Sequence, residues 1–124
     1  MKNTNSDAEG ERPSPRTGHS SILFNDQLYI FGGEDLKGNT NDFFTYQIQW
    51  NVFGKVEQGG NIPSPRSFHS SCFIPENTEN GQHPMMLIFG GYTDQGFSNE
   101  LYFFDLVDMK WNKPISISSE FDTP

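Results

Sequence analysis

The sequence has a single cysteine in 124 residues, Cys72, so no internal disulfide can brace the fold. Flanked by Phe73 and Ile74, that thiol is expected as a small buried hydrophobe in a strand. Basic residues are scarce, 8 against 16 aspartates and glutamates, and a formal net charge of −8 argues against a basic stripe for nucleic acid. The acidic excess fits a solvated surface that keeps an aromatic-rich chain in solution, with a basic partner as the sharper alternative. Long apolar runs are also missing. No 18-residue apolar stretch occurs, and residues 1–12 lack the apolar centre of a signal peptide, so the chain is expected to be soluble and cytoplasmic with a disordered leader over 1–12.

The residues that are plentiful point to strands. Hydrophobic residues make up 33% of the chain and aromatics 15%, with 12 phenylalanines. Apolar content held in flat, strand-favouring side chains leaves little for amphipathic helices. An internal repeat then organises the chain. Pro13-Ser14-Pro15-Arg16-Thr17-Gly18-His19-Ser20-Ser21 recurs as Pro63-Ser64-Pro65-Arg66-Ser67-Phe68-His69-Ser70-Ser71, with seven of nine positions identical at an offset of 50. The register then slips by eight: Ile30-Phe31-Gly32-Gly33 matches Ile88-Phe89-Gly90-Gly91, and Asn41-Asp42-Phe43-Phe44 matches Asn99-Glu100-Leu101-Tyr102. The slip lies in residues 75–84, all polar or turn-forming, which predicts a lengthened hairpin loop where the first repeat has the tight turn Asn25-Asp26-Gln27.

Between this punctuation four strands per repeat are expected: about 20–24, 28–31, 43–48 and 52–56, then 70–74, 85–89, 101–106 and 111–114. Strands apolar on both sides of the pleat need cover on both faces. A four-stranded antiparallel sheet at a period near 50 residues meets that need as a propeller blade, packed face to face on its neighbours.

The residues that carry this pattern resemble the kelch repeat: Arg16 and His19 before the first strand, Gly32-Gly33 closing the second, Tyr46 in the third and Trp111 in the fourth. Arg66, His69, Gly90 and Gly91 repeat the set, and Phe53 stands where the second repeat has Trp111. The resemblance implies an all-β fold of two four-stranded antiparallel kelch blades, part of a larger propeller. Its divisions are a leader at 1–12, repeat 1 at 13–62, repeat 2 at 63–114 with the loop 75–84, and a tail or third-repeat start at 115–124.

Most repeated polar residues suit structural work. The glycine pairs allow positive φ where the chain leaves a strand beside a neighbouring blade, and no helix follows to make them a phosphate cradle. Arg16 and Arg66 are suited to tying loop carbonyls or a carboxylate at a blade junction, with ligand contact as the alternative. His19 and His69 fall at equivalent positions of adjacent blades, and third and fourth ligands are missing, so no metal or cofactor is expected. His83 is expected to stand exposed and unpaired in the inserted loop. Serines beside His19 and His69 supply the atoms of a dyad but not a convergent triad, so no enzyme activity is expected.

Function is expected in the variable loops. Candidate partner-binding residues are Glu34, Asp35 and Lys37 in the loop after the first glycine pair, Ser67 and Phe68 in the loop entering the second blade's first strand, and Tyr92, Asp94, Gln95 and Phe97 in the loop after the second glycine pair, with Tyr92 and Phe97 as exposed aromatic anchors. The resemblance implies a protein–protein interaction module, scaffold or adaptor, binding a protein partner and neither nucleic acid nor membrane. Self-association through unclosed blade faces is a further expectation. The rival is a fragment of a propeller enzyme whose catalytic or metal residues lie in blades outside this stretch.

Overall fold

A computed structural model describes residues 8–117; the expectations for 1–7 and 118–124 lie outside the described residues. Among the described residues every regular element is a strand. In the first half these are β1 (Glu9–Gly10), β2 (Ser20–Phe24), β3 (Gln27–Phe31), β4 (Glu34–Asp35), β5 (Gly38–Asn39), β6 (Phe43–Gln47) and β7 (Val52–Lys55). In the second half they are β8 (Gly59–Gly60), β9 (Arg66–Ser67), β10 (Ser70–Ile74), β11 (Met85–Phe89), β12 (Tyr92–Thr93), β13 (Gly96–Phe97), β14 (Glu100–Asp105), β15 (Lys110–Trp111) and β16 (Ile115–Ser116).

Two blades result, in the order β1-β7-β6-β3-β2 and β10-β11-β14-β15-β8. Consecutive strands β2-β3-β6-β7 and β10-β11-β14-β15 pair antiparallel, as expected from the sequence. Asn25 and Asp26, both at positive φ, make the two-residue turn between β2 and β3. The sheets do not close a ring; this is a partial propeller.

The blade boundaries differ from those expected. Each blade takes a short parallel strand from ahead of its own Pro-Ser-Pro-Arg run: β1 pairs with β7, and β8 with β15. Residues 9–10 therefore belong to the first blade and not to a leader, and residues 59–60 belong to the second blade and not to repeat 1. The last strand of the second blade is also interrupted. Pro114 occupies the place of Val56, whose N–H donates to the Phe43 carbonyl at 2.8 Å. Lacking that donor, Pro114 breaks the ladder, and β16 rejoins β14 beyond it.

The core lies between the blades. Alternate residues of β3 and β6 turn Tyr29, Phe31 and Phe43 toward the second blade, where Met86, Ile88, Phe104 and Trp111 meet them, all buried. Phe43 packs on Phe104 with centroids 4.8 Å apart, and Phe31 on Trp111 at 5.2 Å. Such aromatic pairs contribute about 0.5–1.5 kcal/mol each beyond their buried area. Trp111 also donates its indole N–H to Gln58 Oε1 at 2.7 Å, so its polar edge is satisfied from the chain between the blades. Strands β2 and β10 run side by side where the sheets converge, with Ser71 Oγ donating to the Ser21 carbonyl at 3.3 Å.

Cys72 departs from expectation. Its thiol is exposed, although Ile22 at the equivalent place is buried. Ile22 faces the second blade, whereas Cys72 lies on the outer face of that blade, where no further blade covers it. Burial here depends on the neighbouring sheet more than on local sequence.

Truncating Trp111 to Ala should destabilise by about 3–5 kcal/mol, as expected for a large buried aromatic. Phe53→Ala, at the equivalent half-buried position, should cost less than about half of that. Denaturant midpoints of the two variants test the difference, and equal losses would contradict an interior placed between the blades.

Candidate interaction face

The repeated Arg–Gly–His set organises one end of both blades. Arg66 is 1% exposed. It donates from Nε to the Ser64 carbonyl (3.1 Å) and from Nη1 to the Gly90 carbonyl (3.1 Å) and Ser98 Oγ (3.2 Å). Its guanidinium also lies 5.0 Å over the Tyr102 ring. Arg16 repeats the pattern on Ser14, Gly32 and Thr40, lies over Phe44, and adds an ion pair to Asp42 at 3.2 Å. Both guanidinia are spent on their own loops.

Gly32, Gly33, Gly90 and Gly91 have φ of 71°, 103°, 71° and 96°. Gly32 also has no room for a side chain, because a Cβ there would lie 2.7 Å from the His69 ring and 2.9 Å from the Arg66 carbonyl. The two histidines are not equivalent. His69 is buried and donates Nε2–H to the Phe31 carbonyl across the blade junction at 3.1 Å, while Nδ1 finds no partner. Burial lowers its pKa to about 4, with the Phe31 hydrogen bond opposing and the Arg66 charge assisting. His19 is exposed.

With the strands and arginines committed to packing, the variable loops stand clear at this end. They are β-hairpins, β4–β5 and β12–β13, and the latter extends through β9 to a small sheet. The two hairpins are linked where Asn39 Nδ2 donates to Asp94 Oδ1 at 3.2 Å. Tyr92 and Phe97 pair at 5.3 Å, edge to face, and remain exposed, Phe97 at 89%. Phe68 is exposed at a φ of 59°, a left-handed conformation that costs a bulky residue about 1–2 kcal/mol. Gly18 holds the same place in the first blade. Leu36 at the first hairpin tip is fully exposed. Asp35 accepts from the Lys37 N–H at 2.8 Å and Ser14 Oγ at 3.0 Å, and those bonds, the first foremost, lower its pKa.

The structure therefore gathers Glu34, Asp35, Lys37, Phe68, Tyr92, Asp94, Gln95 and Phe97 on one loop-bearing end. Ser67 does not join them. It is 1% exposed on β9, the strand that pairs edge to edge with β12, and so buried it cannot meet a partner.

Comparison with known proteins decides the family. The model of the KLHDC2/KLHL20/DRC7 Kelch-repeats domain matches residues 1–123. The chain belongs to the kelch-repeat family. It is 30% identical to human Kelch domain-containing protein 3 over 102 residues, covering 80% of this chain and 25% of that protein. It is 32% identical to human Host cell factor 2, covering 85% of this chain and 14% of that protein. Against Dynein regulatory complex subunit 7 of Chlamydomonas reinhardtii the identity is 33%, with 80% of this chain and 8% of that protein covered. The chain thus spans a quarter or less of these kelch relatives.

The opposite end of the kelch blades holds what the sequence reading missed. His83 is not unpaired: its Nδ1–H donates to Asp105 Oδ2 at 2.8 Å, with Asp108 at 3.9 Å. The bond to Asp105 raises the His83 pKa. Burial alone would raise that of Asp105, but the N–H groups of Asp108 and Val107 together with His83 outweigh it, and the net shift is downward. One ligand atom from each of His83, Asp105 and Asp108 lies within 4.8 Å of the others. Asp105 Oδ1 is committed to the Val107 and Asp108 N–H groups, both at 2.8 Å, so the trio clamps the inserted loop to the β14–β15 turn. No sequence signal announced this, since loop 75–84 has no counterpart in the first repeat. Trp50, 68% exposed on the β6–β7 turn, is a second omission.

Three outcomes are expected. Because the folded pKa of His69 lies near 4, below its unfolded value, its contribution is present above pH 6.5 and lost as pH falls toward 4. That loss is about 3 kcal/mol, read from denaturation midpoints against pH; a His69 imidazole titrating near its ordinary value by NMR would contradict it. Phe68→Gly should stabilise the fold by about 1 kcal/mol by releasing the left-handed strain, whereas an unchanged or lowered midpoint would show none. A strong chelator should shift the melting temperature by less than about 2 °C, and a larger fall would make the His83 trio a bound-metal site.

Proposed function

We propose that this kelch segment is a protein-interaction module that presents its loop-bearing end to a protein partner, as scaffold or adaptor, in the cytoplasm and without chemistry of its own. One observation carries the reading: Tyr92 and Phe97 stand exposed on the short β12–β13 hairpin and Phe68 on the loop beside it, with the hairpin held by buried Arg66, bonded to the Gly90 carbonyl and Ser98 Oγ, and buried Thr93, bonded to the Gly96 carbonyl. Rigid exposed aromatics with few rotatable bonds are the usual anchors of protein interfaces. Glu34, Asp35 and Asp94 ring them with negative charge, which favours a partner surface carrying lysine or arginine. Relatives' names point the same way: one is a subunit of a dynein regulatory complex, another a host cell factor. The uncovered outer faces of the blades add self-association as a second mode of contact.

Quantitative affinity capture compares the wild-type chain with the double variant Tyr92→Ala/Phe97→Ala and with Trp50→Ala, which alters the other end. The proteins held by the wild type should fall at least about tenfold with the double variant and persist with Trp50→Ala. Retention by the double variant would remove the loop end as the binding surface.

A further inference from the structure

The end of blade 1 opposite the interaction loops carries a small cleft between the β2–β3 and β6–β7 turns. Its volume is about 190 Å³, and it is lined by Asn25, Asp26, Gln27, Gln47, Gln49 and Trp50. Gln27 and Gln47 stand opposite each other in the β3–β6 ladder, and Trp50 on the neighbouring turn is 68% exposed. The cleft does not belong to an uncovered blade face. Alternation puts Gln27 and Gln47 on the side of the sheet that carries Tyr29, Phe31 and Phe43, which blade 2 covers. Blade 2 also reaches this end, where Phe73 stacks on Phe24 with centroids 5.4 Å apart.

Blade packing does not call for these residues. Their equivalents 58 positions on are Asp105 for Gln47, Val107 for Gln49 and Asp108 for Trp50, and there the inserted loop brings His83 onto Asp105. The two-residue turn of blade 1 leaves the corresponding place open. Its walls are nonetheless fixed. Asn25 and Asp26 close their tight turn at φ of 56° and 64°. The β6–β7 turn is held by Tyr46 Oη donating to Asn51 Oδ1 at 2.6 Å and by the Glu9 N–H donating to the Asn51 carbonyl at 3.0 Å. The four side-chain amides of the cleft and the Asp26 carboxylate are not bonded to any other described residue.

We propose that this cleft binds one neutral sugar ring, the terminal unit of a carbohydrate. Its volume lies below the roughly 300–1,000 Å³ of sites for drug-sized ligands, so the ligand is small. Each amide offers both donors and an acceptor, which matches hydroxyl groups that also do both. The electron-rich face of the Trp50 indole attracts the weakly positive C–H hydrogens on the flat side of a pyranose. Asp26 is the one charged group in the lining, with no lysine or arginine beside it, so phosphates and carboxylates are repelled. That sets nucleotides and acidic sugars aside. The site goes beyond protein binding at the loop-bearing end and does not depend on it.

The test is NMR of the isotope-labelled full chain during addition of the methyl glycosides of glucose, galactose, mannose and N-acetylglucosamine in turn, with adenosine as a neutral planar-ring control. Of the two tryptophans, the Trp50 indole N–H reports the cleft, and that of Trp111, 1% exposed, reports the fold. At least one glycoside should shift the Trp50 signal and the side-chain amides of the cleft saturably in the millimolar range, leaving Trp111 fixed. Read from those amides, Trp50→Ala should weaken binding at least about tenfold, and Trp50→Phe, which keeps an aromatic face, should weaken it less. Where Trp50→Ala disturbs the Trp111 signal, Gln49→Ala serves, with the same direction expected. No saturable shift with any glycoside, a shift with adenosine alone, or undiminished binding in the folded variants would each overturn the proposal. Tyr92→Ala/Phe97→Ala should leave sugar binding unchanged, so the two sites fail separately.

Discussion

Phe43 wedged against Phe104 and Trp111 is the contact on which the rest of the structure depends. Apart from Phe44, covered by Arg16 and Lys55, neither blade buries its large apolar strand residues alone, because a single four-stranded sheet has two faces and no interior. Packing the blades together gathers eleven buried side chains into one core, and the Trp111 indole N–H is satisfied there by Gln58. In a solenoid-like architecture, stability resides in such junctions as much as in the repeats themselves. Cys72 and Ile22 make the point in one comparison: the same position is exposed or buried according to whether a blade lies against it.

That division of labour leaves one end of the blades free. Arg16 and Arg66 hold the loop bases from beneath, and the glycine pairs let the chain turn away from each second strand without colliding with the next blade. Hairpin tips above this frame carry no packing duty, so Leu36, Tyr92 and Phe97 can stay apolar and exposed. Phe68 goes further, holding a bulky ring in a backbone conformation that Gly18 adopts freely in the other blade. Strain retained at an exposed aromatic is what a binding residue shows more often than a structural one.

Much of this was legible from local chemistry. The Pro-Ser-Pro-Arg repeat and the glycine pairs located the blades, and the polar run at 75–84 located the long hairpin loop. The unread parts all depend on neighbours far along the chain. His19 and His69 look alike in sequence, yet only His69 has a blade to reach across. His83 lies in a loop without an internal counterpart, so nothing aligned it with Asp105, whose own match is Gln47. Ser67 sits beside exposed Phe68 but is buried in β9 beside β12, while the left-handed backbone of Phe68 turns its ring out to solvent. Residues 59–60 pair with β15, 51 residues on, and nothing in their own chemistry assigns them to that blade.

If the blades are stable only through one another, they must open together. Native-state hydrogen exchange on the amides of Phe31 and Phe43 in one blade and Ile88 and Phe104 in the other measures this directly. The account predicts one common opening free energy for both sets, and one common loss in Trp111→Ala. Two distinct opening energies, with Trp111→Ala affecting the second blade alone, would contradict it.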